Sequence, residues 1–271
     1  MRIALGLEYD GSAFCGWQTQ PSACGVQDHL QRALSLFADS PIEVTAAGRT
    51  DTGVHAAAQV VHFDTEAARD DVSWIRGTNT HLPPAVRVLW ATPVAADFHA
   101  RYSARSRTYR YLLVNAPVAP AILSGKAGWY HRPLDVARME EGAQALRGTH
   151  DFTSFRDAQC QAKSPVRDLL DASVARRGEL IVFTFRANAF LHHMVRNLVG
   201  SLVYIGAGKQ EPSWMAQLLA QKDRRNAAPT FAPDGLYLAV IDYDPRFQLP
   251  GFPVHPLLSP SALGEGRGEG Q

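Results

Sequence analysis

Gly48-Arg49-Thr50-Asp51-Thr52-Gly53-Val54-His55 lies between two apolar stretches, Ile42-Glu43-Val44-Thr45-Ala46 before it and Gln59-Val60-Val61-His62-Phe63 after it. Both flanks are rich in β-branched residues and read as strands. The glycines permit backbone conformations closed to other residues, so the segment between them reads as a tight polar loop at the end of a sheet. Within it stand one cation, two hydroxyls and one carboxylate, with an imidazole just beyond. Two readings of Asp51 follow. Thr-Asp-Thr-Gly is ordinary turn chemistry, and polar loops on a rigid scaffold are also where reacting groups sit.

On the N-terminal side, Ile3 to Tyr9 reads as a strand, and the loop Asp10 to Gln18 follows it. Val26, Leu30, Ala33, Leu34 and Phe37 then recur at helical spacing up to Pro41. On the C-terminal side, Val72 to Thr80 predicts a helix stopped by Pro83 and Pro84, and Val86 to Thr92 a strand. The loop Ala116 to Gly128 reads as a link between two lobes. Val136 to Leu146 predicts a helix, and Phe152 to Phe155 opens a new segment. Leu180 to Arg186 predicts a strand, and Leu191 to Leu202 a helix. Pro212 to Leu219 and Gly235 to Asp242 add a final helix and strand. This order implies an α+β fold of two lobes, residues 1–105 and 106–248, with a ligand cleft between them. Residues 249–271, with four prolines and a glycine-glutamate repeat, read as a disordered tail.

The chain has 271 residues, 46% hydrophobic and 20% charged, with a net charge of +1. That is the composition of a soluble globular protein, and no apolar run reaches the length of a membrane span. The N-terminus lacks a signal peptide's apolar region, so export is not expected. Cys15, Cys24 and Cys160 are an odd number without CxxC spacing, so neither a disulfide framework nor a zinc site is expected, and a reducing cytoplasm fits. Only four of the 27 cations are lysine. A GC-rich genome gives the same arginine excess, so local clustering says more than the total.

One such cluster is Phe98 to Asn115, where Arg101, Arg105, Arg107 and Arg110 alternate with Tyr102, Tyr109 and Tyr111 and no acid intervenes. Interleaved cations and aromatics suit single-stranded RNA, with phosphate contacts beside a stacking platform. An edge strand with tyrosines in the core and solvated arginines fits equally. His192 and His193 surround an apolar helical stripe; adjacent residues do not share a helix face, so they read as packing residues rather than metal ligands. No nucleotide, nicotinamide, HExxH or GxSxG signature is present. Asp51 remains the best candidate for a reactive group, as a nucleophile or electrostatic stabiliser.

Five ordered motifs resemble the tRNA pseudouridine synthases of the TruA family: Gly48 to His55, Asp97 to Arg101, Tyr109 to Tyr111, Asp151 to Arg156 and His192 to Asn197. The similarity begins at Leu7 to Ser12 and Gly16 to Gln18 and runs to Gly235 to Leu238. It implies two similar α/β lobes sharing a continuous, mainly antiparallel sheet flanked by helices. It implies isomerisation of uridine to pseudouridine at positions 38, 39 and 40 of the tRNA anticodon stem-loop, by a cytoplasmic homodimer without cofactor or metal. Asp51 falls on the family's nucleophile, Tyr109 on the tyrosine that packs against the target base, and Arg196 on the arginine paired with the aspartate. Arg49 falls where it would hold the loop and the phosphate backbone. Two rival readings remain: a non-catalytic RNA-binding protein using the same surface, and an aspartate-nucleophile hydrolase, which wants Mg²⁺ and further carboxylates.

Overall fold

The computed structural model describes residues 1–258. Ten strands form one sheet: β1 (Arg2–Tyr9), β2 (Thr45–Ala46), β3 (His55–Asp64), β4 (Val86–Val94), β5 (Ala104–Asn115), β6 (Gly128–Tyr130), β7 (Gly148–Asp151), β8 (Val166–Arg177), β9 (Leu180–Ala187) and β10 (Leu236–Tyr243). Their order is β4-β1-β3-β10-β5-β9-β8-β7, with β2 added to β3 and β6 to β5. Five helices flank the sheet: α1 (Val26–Ala38), α2 (Asp71–His81), α3 (Val136–Gln144), α4 (Met194–Gly206) and α5 (Trp214–Gln221). The fold is α+β and mainly antiparallel, as the sequence implied.

Alternation along the strands decides which face each helix covers. Tyr111 and Leu113 of β5 join Phe183 and Phe185 of β9 under α3, α4 and α5 in one core. Ile3, Leu5 and Leu7 of β1 join Val61 and Phe63 of β3 under α1 and α2 in another. The intervening residues Leu112, Val114 and Val182 point the other way and form a small third cluster with Leu258.

The two halves meet at a short parallel pairing, Tyr237 with His55 and Leu238 with Ala56. Parallel strands begin at the same end of a sheet, so the segments entering β3 and β10 lie side by side. The segment entering β3 is the Asp51 loop.

Several local expectations need correction. Of Ile42 to Ala46, only Thr45 and Ala46 pair in the sheet. The loop after Ala116 returns the chain so that β6 can pair with β5, and does not join two halves. Cys15 and Cys24 form a disulfide. The turn between them brings their Cα atoms to 5.4 Å, with the Cys15 N–H donating to the Cys24 carbonyl. Of the expected disordered tail, Leu249, Phe252 and Leu258 pack on the fold, while residues 253–257 are exposed. Phe252 meets Trp90 edge to face at 5.4 Å, and Leu258 is buried. Residues 259–271 lie outside the described residues.

His62 on β3 ties the first half together, its Nδ1 accepting the Ala100 N–H at 3.1 Å. Burial, reinforced by the Arg2 and His99 charges and opposed by Asp64, pushes its pKa down to about 4. The unfolded chain binds this proton below roughly pH 6.5, so stability present at neutral pH is lost as pH falls from there towards about 4. Thermal unfolding followed from pH 7 to pH 5 is expected to show this loss, and a shallower slope in His62→Gln. An unchanged slope would refute the assignment.

Candidate active site

The Asp51 loop is pinned along its length by residues of β1, β3 and the loop after β1. Gln59 Nε2 donates to the Gly48 carbonyl at 2.7 Å, and the Tyr9 hydroxyl shares a 2.8 Å hydrogen bond with Thr50 Oγ1. The Trp17 N–H donates to the Thr50 carbonyl at 2.9 Å, and the Val54 N–H closes the turn on the Asp51 carbonyl at 3.1 Å. Gly53 takes φ +79°, which favours glycine. Gly16, at φ +93°, lies so close beneath that a Cβ there would come within 2.9 Å of the Thr50 carbonyl oxygen. Backbone this closely supported holds its side chain in one place, which is what positioning a reacting group requires.

His55, just beyond the turn, is a structural residue. It is buried, accepts the Gly11 N–H at Nδ1 (3.0 Å), and so presents its Nε2–H to the Asp234 carbonyl at 3.1 Å. Burial lowers its pKa against the opposing pull of Asp10. The ring thereby fastens the start of β3 to the segment that enters β10.

The Asp51 carboxylate is 24% exposed and faces the first turn of α4 across the junction of the two halves. Arg196 Nη1 lies 3.4 Å from its Oδ2. Arg196 itself is 14% exposed and held by a 2.8 Å hydrogen bond from Nε to the Phe231 carbonyl. His192 Nε2 stands 3.4 Å from Oδ1, and His193 Nε2 stands 3.4 Å from Oδ2.

The two histidines reach one carboxylate because they precede the helix. Helix α4 begins at Met194, and His193 takes the left-handed conformation at φ 60°. Adjacent rings therefore stack, with centroids 4.0 Å apart, instead of diverging as on a helix. Asp157 secures them from the far side, 2.7 Å from His193 Nδ1 and 3.5 Å from His192 Nδ1. Burial pushes the Asp157 pKa up, but hydrogen bonds from the Gln159 N–H and from His193 leave it below the usual carboxylate range. This overturns the expectation that helical geometry separates His192 from His193. Nothing in the spacing signals the arrangement, since the pair has none of the usual helix-capping residues before it. Asp157 carries no sequence signal either.

Tyr109 and Tyr111 share a face of β5 but have different surroundings. Tyr111 is fully buried and donates to the Ala232 carbonyl at 2.9 Å, as a core residue. Tyr109 is partly exposed and packs edge to face on Phe190 at 5.0 Å. Its hydroxyl lies 3.8 Å from where a Cβ on Gly48 would stand, with no hydrogen-bond partner among the described residues. Arg49 is exposed and without an ion-pair partner among the described residues. Asp51, Tyr109 and Arg196 are thus brought together, while Arg49 stands at the rim.

Comparison with known proteins places the chain in a family. A profile of the family described as tRNA pseudouridine synthase matches residues 7–103 and 143–244. Similar proteins named tRNA pseudouridine synthase A include those of Methylobacillus flagellatus (58% identical over 93% of this chain and 96% of the relative) and Thiobacillus denitrificans (58%, 92% and 96%). That of Janthinobacterium sp. is 57% identical over 95% of this chain and 97% of the relative. The chain belongs to the tRNA pseudouridine synthase family.

In this synthase, Arg107 is neither a phosphate ligand nor a solvated cation. Its guanidinium donates to the carbonyls of Ala47 (2.9 Å), Arg101 (2.6 Å), Ala104 (3.3 Å) and Asn188 (2.9 Å). It therefore stitches the approach to the Asp51 loop onto β5 and the end of β9. Arg107→Ala leaves these carbonyls without their donor and is expected to cost about 2–4 kcal/mol in denaturant unfolding. Lysine, a point donor without the planar fork, is expected to recover little of it. Wild-type stability in either variant would remove Arg107 from the scaffold.

Proposed function

We propose that this synthase converts uridine to pseudouridine at positions 38, 39 and 40 of the tRNA anticodon stem-loop, with Asp51 as the nucleophile and without a cofactor. One observation carries the reading: a partly exposed aspartate on a rigidly held turn is met by Arg196 at 3.4 Å, beside the unpartnered Tyr109 hydroxyl. The reaction breaks the C1′–N1 bond, turns the base and joins C5 to C1′. The C5 proton leaves and N1 gains one, so no electrons are exchanged and no redox partner is needed. A carboxylate facing C1′ meets the same oxocarbenium character as in glycoside hydrolysis.

Tyr109 and Arg49 complete the substrate site. Taking a base out of its stack costs a few kcal/mol, and one aromatic contact returns roughly 1–3 kcal/mol, so Tyr109 offsets much of the cost. Arg49, exposed beside the nucleophile, takes a phosphate. In this reading residues 1–105 supply the nucleophile and residues 106–248 supply Arg196. The enzyme works as a cytoplasmic homodimer, where tRNA is found.

Tritium release from tRNA labelled at uridine C5 tests the proposal. Release from substrates carrying uridine only at 38, 39 or 40, and none when those three are replaced, is the expected result. The rival reading, an RNA-binding protein without catalysis, predicts salt-sensitive tRNA binding and no release at all.

A further inference from the structure

We propose that Asp51, His192 and His193 also form a binding site for a divalent transition-metal ion of the zinc class, and that an ion held there takes the Asp51 carboxylate out of reaction. The metal-binding half stands on geometry alone; the inhibitory half rests on the catalytic reading of Asp51. Each residue offers one ligand atom, and these atoms lie within 4.8 Å of one another. Both imidazole Nε2 atoms stand 3.4 Å from carboxylate oxygens. Zinc with bonds of about 2.0–2.1 Å in a tetrahedron spaces its donors roughly 3.4 Å apart. The two imidazoles face different oxygens of the carboxylate, so sharing one ion requires the donors, which lie within 4.8 Å of one another, to close to that spacing.

The far side of the site is built as metal sites are. A ligating histidine ordinarily donates its other ring N–H to a carboxylate, which fixes the tautomer and leaves the second nitrogen free to bind. Asp157 stands at that position for His193, hydrogen-bonded to its Nδ1 at 2.7 Å, and lies 3.5 Å from His192 Nδ1. The left-handed backbone at His193 and the 4.0 Å stacking fix the direction of both Nε2 atoms. His192 is 38% exposed, which gives an entry path and room for solvent as a fourth ligand.

The donor set selects the metal. Two imidazoles and one carboxylate suit Zn²⁺, Ni²⁺ or Cu²⁺, whereas Mg²⁺ prefers an octahedron of oxygens. Arg196 does not close the site, because a carboxylate has about four lone-pair positions. Its charge does oppose a dication, so the site belongs with exchangeable rather than closed structural centres.

Isothermal calorimetry of the tag-free full chain with Zn²⁺, in a buffer of controlled free zinc, tests the site. One equivalent is expected to bind. His192→Gln and His193→Asn are each expected to weaken binding by at least about 10-fold, and Asp157→Asn by about 10-fold. Asparagine tolerates the left-handed backbone at 193, so that variant keeps the fold, and thermal unfolding without metal checks it. Co²⁺ in place of Zn²⁺ should give the intense visible absorption of a tetrahedral centre. Absence of binding in the wild type, or wild-type affinity in both histidine variants, would overturn the proposal. Tritium release should fall over the zinc range that fills the site and return with chelator. Zinc binding that leaves turnover intact would overturn the inhibitory half and the catalytic role of Asp51, while leaving the site itself in place.

Discussion

Asp51→Asn is expected to lower pseudouridine formation by at least about 10³-fold while leaving tRNA affinity within a few-fold of wild type. The amide has the shape of the carboxylate, keeps one acceptor oxygen for Arg196, and sits on a turn otherwise held through backbone atoms, Thr50 and Gln59. The fold therefore survives the change, and what disappears is negative charge and nucleophilicity. Binding survives because phosphate contacts, not the aspartate, supply most RNA affinity. Single-turnover tritium release with enzyme in excess measures the chemical step, and filter binding at matched ionic strength measures affinity. Turnover at the wild-type rate would end the nucleophile assignment. Loss of binding in parallel with activity would instead make the residue a positioning element.

Where sequence and structure agree, and where they part, follows from what each signal encodes. The Asp51 loop was legible because its glycines mark left-handed or crowded backbone, as at Gly53, and its apolar flanks mark the sheet. Helices α1 and α4 were legible from apolar spacing, and α2 from the prolines that follow it. Strand β8 was not, because its register shifts between Leu169 and Asp171. A bulge there breaks the alternation by two on which strand recognition depends. Arg107 stood out in a basic run, but its carbonyl partners lie on segments as far as 81 residues away in sequence. Charge patterning cannot distinguish such a staple from a phosphate ligand. The paired histidines were misread for a related reason: spacing rules assume a helix, and the helix starts at Met194, after both of them.

Tyr109→Ala is expected to reduce turnover by at least about 10²-fold, and Tyr109→Phe to separate the two parts of that loss. Alanine removes the ring that packs against an unstacked base; phenylalanine keeps the ring and removes only the oxygen. Burial, followed by the nearby Tyr9 and Asp51 charges, pushes the Tyr109 phenol well above its ordinary pKa. The hydroxyl is therefore protonated throughout the neutral range, and a preformed phenolate base is excluded. If the oxygen takes the C5 proton, its own proton must leave in the same step to solvent or to the bound substrate, because among the described residues no protein group is hydrogen-bonded to the hydroxyl. Such a step is fast in the wild type and slow without the oxygen. Tyr109→Phe should thus bind tRNA normally, lose most turnover, and show a primary isotope effect at C5 that the wild type lacks. Near-wild-type turnover in Tyr109→Phe, with no isotope effect, would confine Tyr109 to stacking and move proton removal to another group.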